Sequence, residues 1–249
     1  MTHKWTRDEE ILALYAYCHV PFNKASNTNT WIVRIAKLIG RTPAAVKMKI
    51  GNLGAFDPQL KAKGIIGLTS TSKLDRDIWE EYYGHWDKLA YDAEILLAKL
   101  EKRKIGDTWP LPEGEDVLVM TKRRINQSFF RSAVLSSYNN TCCISGITHP
   151  HLLEACHIVA WSEDPVLRTD PMNGLCLSPT FHKAYDKLLI SITPDYILKL
   201  SDTFKCSISE SSFAEYLNSK DNSKIILPDR FMPNQEYLLL HYEKFLKVS

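Results

Sequence analysis

The sequence predicts an α+β chain, in which a helical N-terminal domain is joined by a long connecting helix to a C-terminal domain built on two short strands and a helix. Three observations predict it. Apolar residues recur at three- and four-residue spacing through the first fifty or so residues, and a similar stripe continues beyond Asp75. Between Leu152 and Asp186, two short apolar runs flank a turn-rich loop and lead into a helical segment. The expected boundaries are 1–72 for the helical domain, 73–112 for the connecting helix and linker, and 113–249 for the C-terminal domain.

The first helix opens at Thr6-Arg7-Asp8-Glu9, a capping-box pattern, and presents Ile11, Leu12, Leu14, Tyr15 and Cys18 as its apolar residues. After a polar loop from Asn23 to Thr30, a second helix carries Trp31, Ile32, Ile35, Ala36 and Ile39 and stops at Gly40. Thr42 caps a third helix with Pro43 in its first turn and Val46, Ile50 and Leu53 turned inward. Three short helices with a tight turn between the last two read as a helix-turn-helix unit. Its outer face would carry Lys47, Lys49 and Asn52, with Arg41 just before, as candidate DNA contacts. The placement of Trp5-Thr6 and Trp31 resembles Myb/SANT-like domains. A small helical domain with a solvated basic face is the plainer alternative.

Residues Asp57 to Ser72 read as a loop. From Asp75 to about Arg103, Tyr82, Trp86, Leu89, Ala93, Leu96 and Leu100 follow heptad spacing, which suits either a helix packed along its own chain or a homodimer seam. Gly84 weakens a continuous coil. Gly106 to Pro112 reads as a linker. Beyond it Lys122, Arg123, Arg124 and Arg131 give a helix the densest positive charge in the chain, a candidate phosphate-binding edge.

Bulk properties exclude little. A net charge of +2 means that any surface for a polyanion must be local. No apolar run approaches the ~18 residues that span a bilayer, and the N-terminus lacks the apolar stretch of a secretory signal. A cytoplasmic setting without a membrane partner is expected, so the six cysteines read as reduced thiols. A zinc site using Cys143, His149 or His151 with later cysteines is the alternative to buried thiols.

The chemistry concentrates in Cys142-Cys-Ile-Ser-Gly146, Leu152-Leu-Glu-Ala-Cys-His-Ile-Val-Ala-Trp161, Met172-Asn-Gly-Leu-Cys-Leu177 and Phe181-His-Lys-Ala-Tyr-Asp186. His182 and Asp186, four apart on a helix, can aim a nitrogen and a carboxylate oxygen at one divalent ion. Alone, that pair is more often a surface contact. In order and spacing these residues resemble the HNH, or ββα-metal, nuclease motif, in the restriction-type subgroup reading Cys-x-x-[Ser/Thr]-Gly, Ala-His-Ile, Asn-Gly-Leu and His-x-x-[Phe/Tyr]-Asp. Asn173 and His182 stand nine apart, as in colicin-type and CRISPR-effector members.

The resemblance implies a metal-dependent DNA endonuclease, with restriction or phage defence as its setting and double-stranded DNA as its partner. His157 would be the general base, since neutral imidazole is abundant near neutral pH. Asn173 would hold the loop and orient the His157 ring. His182 and Asp186 would bind the divalent ion, for which Mg2+ is expected and Mn2+ or Zn2+ are alternatives. Arg168 and Lys183 would hold phosphates beside the site, and Trp161 would pack beneath the loop. One position departs from the pattern. Many members place an Asp or His ligand before the first histidine, where this chain has Cys156. That residue is either a packing residue or a thiolate ligand favouring a softer ion, and Glu154 on the same strand face is a substitute ligand. Competing functions are an inactive DNA- or protein-binding module and an RNA-cleaving nuclease.

Overall fold

A computed structural model of the chain describes residues 3–65, 71–105, 117–209 and 211–248. The chain divides into two compact units between Ser136 and Ser137. Among the described residues, no helix is long and apolar enough to cross a membrane.

The first unit is organised around helix α1 (Arg7–His19). Thr6 and Glu9 form the capping box expected at its start, each side chain meeting the other's backbone N–H. Every residue from Glu9 to Val20 is buried, the pattern of a helix surrounded on all sides. Its neighbours are α2 (Thr30–Leu38), α3 (Pro43–Gly54), α5 (Lys73–Tyr82) and α6 (Trp86–Glu101). Asn29 caps α2 by accepting the N–H groups of Trp31 and Ile32, and Gly40, at φ +67°, ends it in a conformation that side chains resist.

Between α3 and α5, part of the expected loop is instead helical. Asp57 caps α4 (Pro58–Ala62) and also accepts the Tyr17 hydroxyl at 2.5 Å. The expected long connecting helix is also two helices. Gly84, at φ +84°, separates α5 from α6 by a turn in which His85 N–H reaches the Tyr82 carbonyl. Both pack on α1, and most of the heptad stripe is spent there: Tyr82, Trp86, Leu89 and Ala93 are buried within the unit. Those four residues are therefore not open to a partner copy, whereas Leu96 is half-buried and Leu100 exposed. The linker expected at Gly106–Pro112 lies outside the described residues. Helix α7 (Val117–Ser137) follows.

A second correction concerns Lys49, expected on an outer face. It is buried, with its ammonium 2.6 Å from Glu10 and also paired with Asp75, both fully enclosed. Burial pushes the Glu10 carboxyl up to about 7. Burial also acts against Asp75, but the Lys49 hydrogen bond and the Ser72 N–H hold that carboxyl below its ordinary value. Arg41 is likewise committed internally, to Glu9 at 2.8 Å, to the carbonyls of His3 and Lys4, and to the face of Trp5. Two of the cations expected to face DNA are thus structural, because three buried carboxylates and an aromatic ring claim them first.

The second unit carries strands β1 (Glu154–His157) and β2 (Gly174–Leu177), antiparallel, with Cys156 opposite Leu175 and His157 opposite Gly174. Ser178 and Pro179 lead from β2 into α8 (Pro179–Asp186), which packs on both strands. Strands β3 (Ile190–Ile192) and β4 (Leu198–Leu200) form a second small sheet. Helices α9 (Asp202–Cys206), α10 (Ser211–Lys220) and α11 (Gln235–Leu246) complete the unit.

The Cys142–Gly146 turn is tied to β2. Cys143 N–H donates to the Cys176 carbonyl at 2.8 Å, and the Cys142 sulfur accepts the N–H groups of Ser145 and Ser178. Cys142, Cys143, Cys156 and Cys176 are buried free thiols. His149 and His151 lie on the surface, apart from the one cluster of potential metal ligands found among the described residues, so the alternative zinc site is not formed.

Helix α11 covers β3 through Leu238, His241 and Phe245. Leu239 and Leu246 face outward. The inward stripe includes a histidine. His241 Nε2 donates to the Tyr185 carbonyl at 3.2 Å, so its Nδ1 accepts the Ser191 hydroxyl at 2.8 Å. Its ring stacks on Tyr185 with centroids 3.6 Å apart. Burial pushes the His241 imidazole down to about 4. This contact braces the end of α8, one residue before Asp186.

Candidate metal centre and active site

Strand geometry places Glu154 and Cys156 on one face, because side chains two apart on a strand point the same way. Helix α8 lies against that face and supplies His182 and Asp186 from successive turns. The Cys156 sulfur lies 4.0 Å from Asp186 Oδ1, and His182 Nε2 lies 3.6 Å from Asp186 Oδ2. One ligand atom from each of Cys156, His182 and Asp186 falls within 4.8 Å of the other two.

These separations fit the donor set to a single ion. Ligand bonds of about 2.0–2.3 Å place neighbouring donors roughly 3–4 Å apart around one centre. The mixture of imidazole, carboxylate and thiol suits a borderline divalent ion better than the all-oxygen shell that Mg2+ prefers. Burial pushes the Cys156 thiol well up, and the carboxylates of Asp186 and Glu154 add to the effect. Without an ion, Cys156 is therefore a protonated thiol. Asp186 is half exposed, which leaves one side of the cluster open to solvent.

His157 ends β1, where its Nε2 lies 3.1 Å from the Arg168 carbonyl oxygen. A carbonyl can only accept, so Nε2 carries the proton and Nδ1 is the basic nitrogen of the neutral ring. Burial lowers the His157 pKa; the Arg168 carbonyl opposes this, and the charges of His182 and Asp186 also act on the ring. The ring meets Trp161 edge-on at 5.6 Å. Arg168 closes the group, with its Nε donating to the Trp161 carbonyl at 2.8 Å and its guanidinium over the Trp161 ring.

Asn173 is fully buried and fixes the loop that leads from β1 to β2. Its Oδ1 accepts Val159 N–H at 2.8 Å, while its Nδ2 donates to the carbonyls of Val159 and Leu167. Its backbone carbonyl accepts Ile158 N–H at 2.9 Å. Asn173 thus bears on the His157 ring through the loop that carries Arg168, whose carbonyl makes the ring contact.

Residues 142–193 match the family model described as HNH endonuclease. No curated protein matches the chain. The matched segment contains Cys156, His157, Asn173, His182 and Asp186, so the similarity to HNH endonucleases falls on the residues of the cluster.

Of the residues read from the sequence, the structure brings His157, His182 and Asp186 together, with Asn173 behind the loop. Cys156 joins them as a third potential ligand, a role the sequence left open. Lys183 is exposed beside His182, whereas the Arg168 side chain is engaged with Trp161. Lys47, Lys122, Arg124 and Arg131 are exposed in the first unit, and Lys49 is buried there. Sequence reasoning missed two supports: the Arg168 carbonyl, a backbone atom that no residue type encodes, and His241, whose only signal was a histidine between Leu238 and Phe245 on one helix face.

Proposed function

We propose that the chain is a metal-dependent endonuclease that hydrolyses phosphodiester bonds in double-stranded DNA. The observation that supports this most is the setting of His157, with Nε2 committed to the Arg168 carbonyl, beside a convergent Cys156–His182–Asp186 cluster in the HNH segment. When bound, a divalent ion supplies positive charge against the phosphate oxygens.

The rest falls to the chain itself. His157 Nδ1 takes a proton from a water molecule, whose oxygen forms the new bond to phosphorus. The bond from phosphorus to the 3′ oxygen breaks, and that oxygen gains its proton from solvent. The loop pinned by Asn173 keeps the Arg168 carbonyl on Nε2, so the ring holds one tautomer and one direction. Lys183, exposed on α8, offers a cation to the neighbouring phosphates.

The first unit is proposed to grip DNA. Its support is the three-helix arrangement of α1 to α3 with exposed Lys47, and the exposed Lys122, Arg124 and Arg131 on α7. Restriction or phage defence is the proposed setting, and the cytoplasm the proposed location. Cutting both strands then calls for two copies, joined by a surface other than the buried α5–α6 stripe.

The test is plasmid cleavage with and without divalent ions, by the wild-type chain and by His157→Ala. Metal-dependent cutting that the substitution abolishes is expected. Cutting indifferent to both would remove the proposal, and cleavage of RNA with duplex DNA left intact would move the substrate to RNA.

A further inference from the structure

We propose that Glu154 is a positioning residue that fixes the tautomer and direction of His182, so that Nε2 is the nitrogen offered to the metal. The inference rests on the metal-centre reading above, but not on the reaction assigned to it.

Glu154 Oε2 lies 2.5 Å from His182 Nδ1. A carboxylate has no proton to give, so Nδ1 is the donor, and a neutral imidazole carries only one N–H. The lone pair is then on Nε2. That is the nitrogen 3.6 Å from Asp186 Oδ2, on the side where the donor atoms of Cys156, His182 and Asp186 converge. With the two nitrogens exchanged, the ring would present an N–H to a cation and repel it. The carboxylate behind the ring also makes Nε2 a better donor, since negative charge at Nδ1–H stabilises positive charge developing on the imidazole.

The fold explains why Glu154 can do this. Glu154 pairs with Leu177 at the last position of β2, and Ser178 and Pro179 carry the chain directly into α8. The strand that bears Glu154 and the helix that bears His182 are therefore joined through a short hydrogen-bonded connection. Cys156, two residues along the same face, reaches Asp186 one helical turn beyond His182. Two strand residues thus address two helix residues in register. Cys156 joins the ligand cluster, while Glu154 acts from behind a ligand.

The experiment uses the full chain in two readouts. Proton–nitrogen correlation spectra of histidine-labelled, metal-free protein should show His182 as the Nδ1–H tautomer. Glu154→Ala should give a mixture of tautomers, and Glu154→Gln, whose amide oxygen still accepts, should keep the wild-type form. Calorimetry with Mn2+ should show Glu154→Ala weakening binding by about 10–100-fold, Glu154→Gln weakening it less, and His182→Ala weakening it most. An unchanged tautomer and unchanged Mn2+ affinity in Glu154→Ala would overturn the proposal. Equal weakening in both Glu154 variants without a tautomer change would do so too, since charge alone would then explain the effect. Wild-type protein that binds Mn2+ with these variant effects but cuts no nucleic acid would support the positioning role while removing the nuclease reading. Wild-type protein that cuts DNA while Glu154→Ala binds Mn2+ normally would do the reverse.

Discussion

The Nε2 of His157 and the backbone carbonyl of Arg168 face each other at 3.1 Å across the loop between the two strands of the site. That contact settles the tautomer of the neutral His157 ring, with Nδ1 its basic nitrogen. His157→Ala should lower cleavage by roughly 10²–10⁴-fold, the usual contribution of a positioned general base. Calorimetry should find Mn2+ affinity little changed, because His157 is outside the set of converging ligand atoms. A parallel loss of metal binding would argue that the residue holds the site together instead.

Asn173→Ala should damage the same step from a distance. It removes hydrogen bonds to Val159 N–H and to the carbonyls of Val159 and Leu167 from a fully buried position. Leaving such groups unpaired costs about 1–3 kcal/mol each at most, less where water enters. Amide hydrogen exchange should quicken across 158–173 and stay near wild type in α11. Cleavage should fall while the fold persists.

Cys156→Asp should change the preferred ion. Replacing a thiol with a carboxylate makes the cluster harder, so the ratio of Mg2+ to Zn2+ affinity should rise relative to wild type. Competition titrations measure that ratio directly. An unchanged ratio would mean that Cys156 packs against the site without ligating.

Lys49 offers a test in the first unit. Lys49→Met leaves the enclosed Glu10 and Asp75 carboxylates without their shared cation, which should destabilise the unit by about 3–5 kcal/mol. Lys47→Ala, on the exposed surface of the same helix, should leave stability nearly unchanged and weaken DNA binding. Denaturant unfolding and binding assays on the two variants separate the roles.

His241 predicts a pH dependence of stability. The unfolded imidazole takes a proton near its ordinary value of about 6.5, whereas the folded one does so only near 4. The stability it contributes is therefore present above the first value and lost as pH falls toward the second. The full loss is roughly 3 kcal/mol. Lys244 reinforces the downward shift and Glu163 opposes it. Urea unfolding across this interval should show a steeper decline in wild type than in His241→Gln, which cannot titrate.

Much of the site was legible because its spacing is local. His182 and Asp186 are one helical turn apart, and His157 closes a short apolar run, so helix and strand periodicity place them. The capping box at Thr6 and the helix stop at Gly40 are equally local. What was not legible depends on distant partners. Lys49 looks like any surface lysine until Asp75, 26 residues later, and Glu10 from another helix enclose it. Glu154 reads as a stray strand carboxylate until α8 returns and brings His182 to it, 28 residues on. His241 takes a core position on α11 while Leu239 and Leu246 face outward, so hydrophobicity alone does not mark the inward face of that helix.

The excursion from Ile158 to Asn173 leaves and rejoins the two strands through a narrow hydrogen-bonded neck, closed by Asn173 at its base. Its tip, around exposed Glu163, Pro165 and Val166, takes no part in that closure. The tip is nonetheless coupled to the chemistry: Val166 opens the short helix that ends at Arg168, whose carbonyl meets His157, and Glu163 meets Lys244 of α11 at 2.6 Å. A change in the length or charge of the tip is therefore transmitted through Arg168 to the direction of the His157 ring.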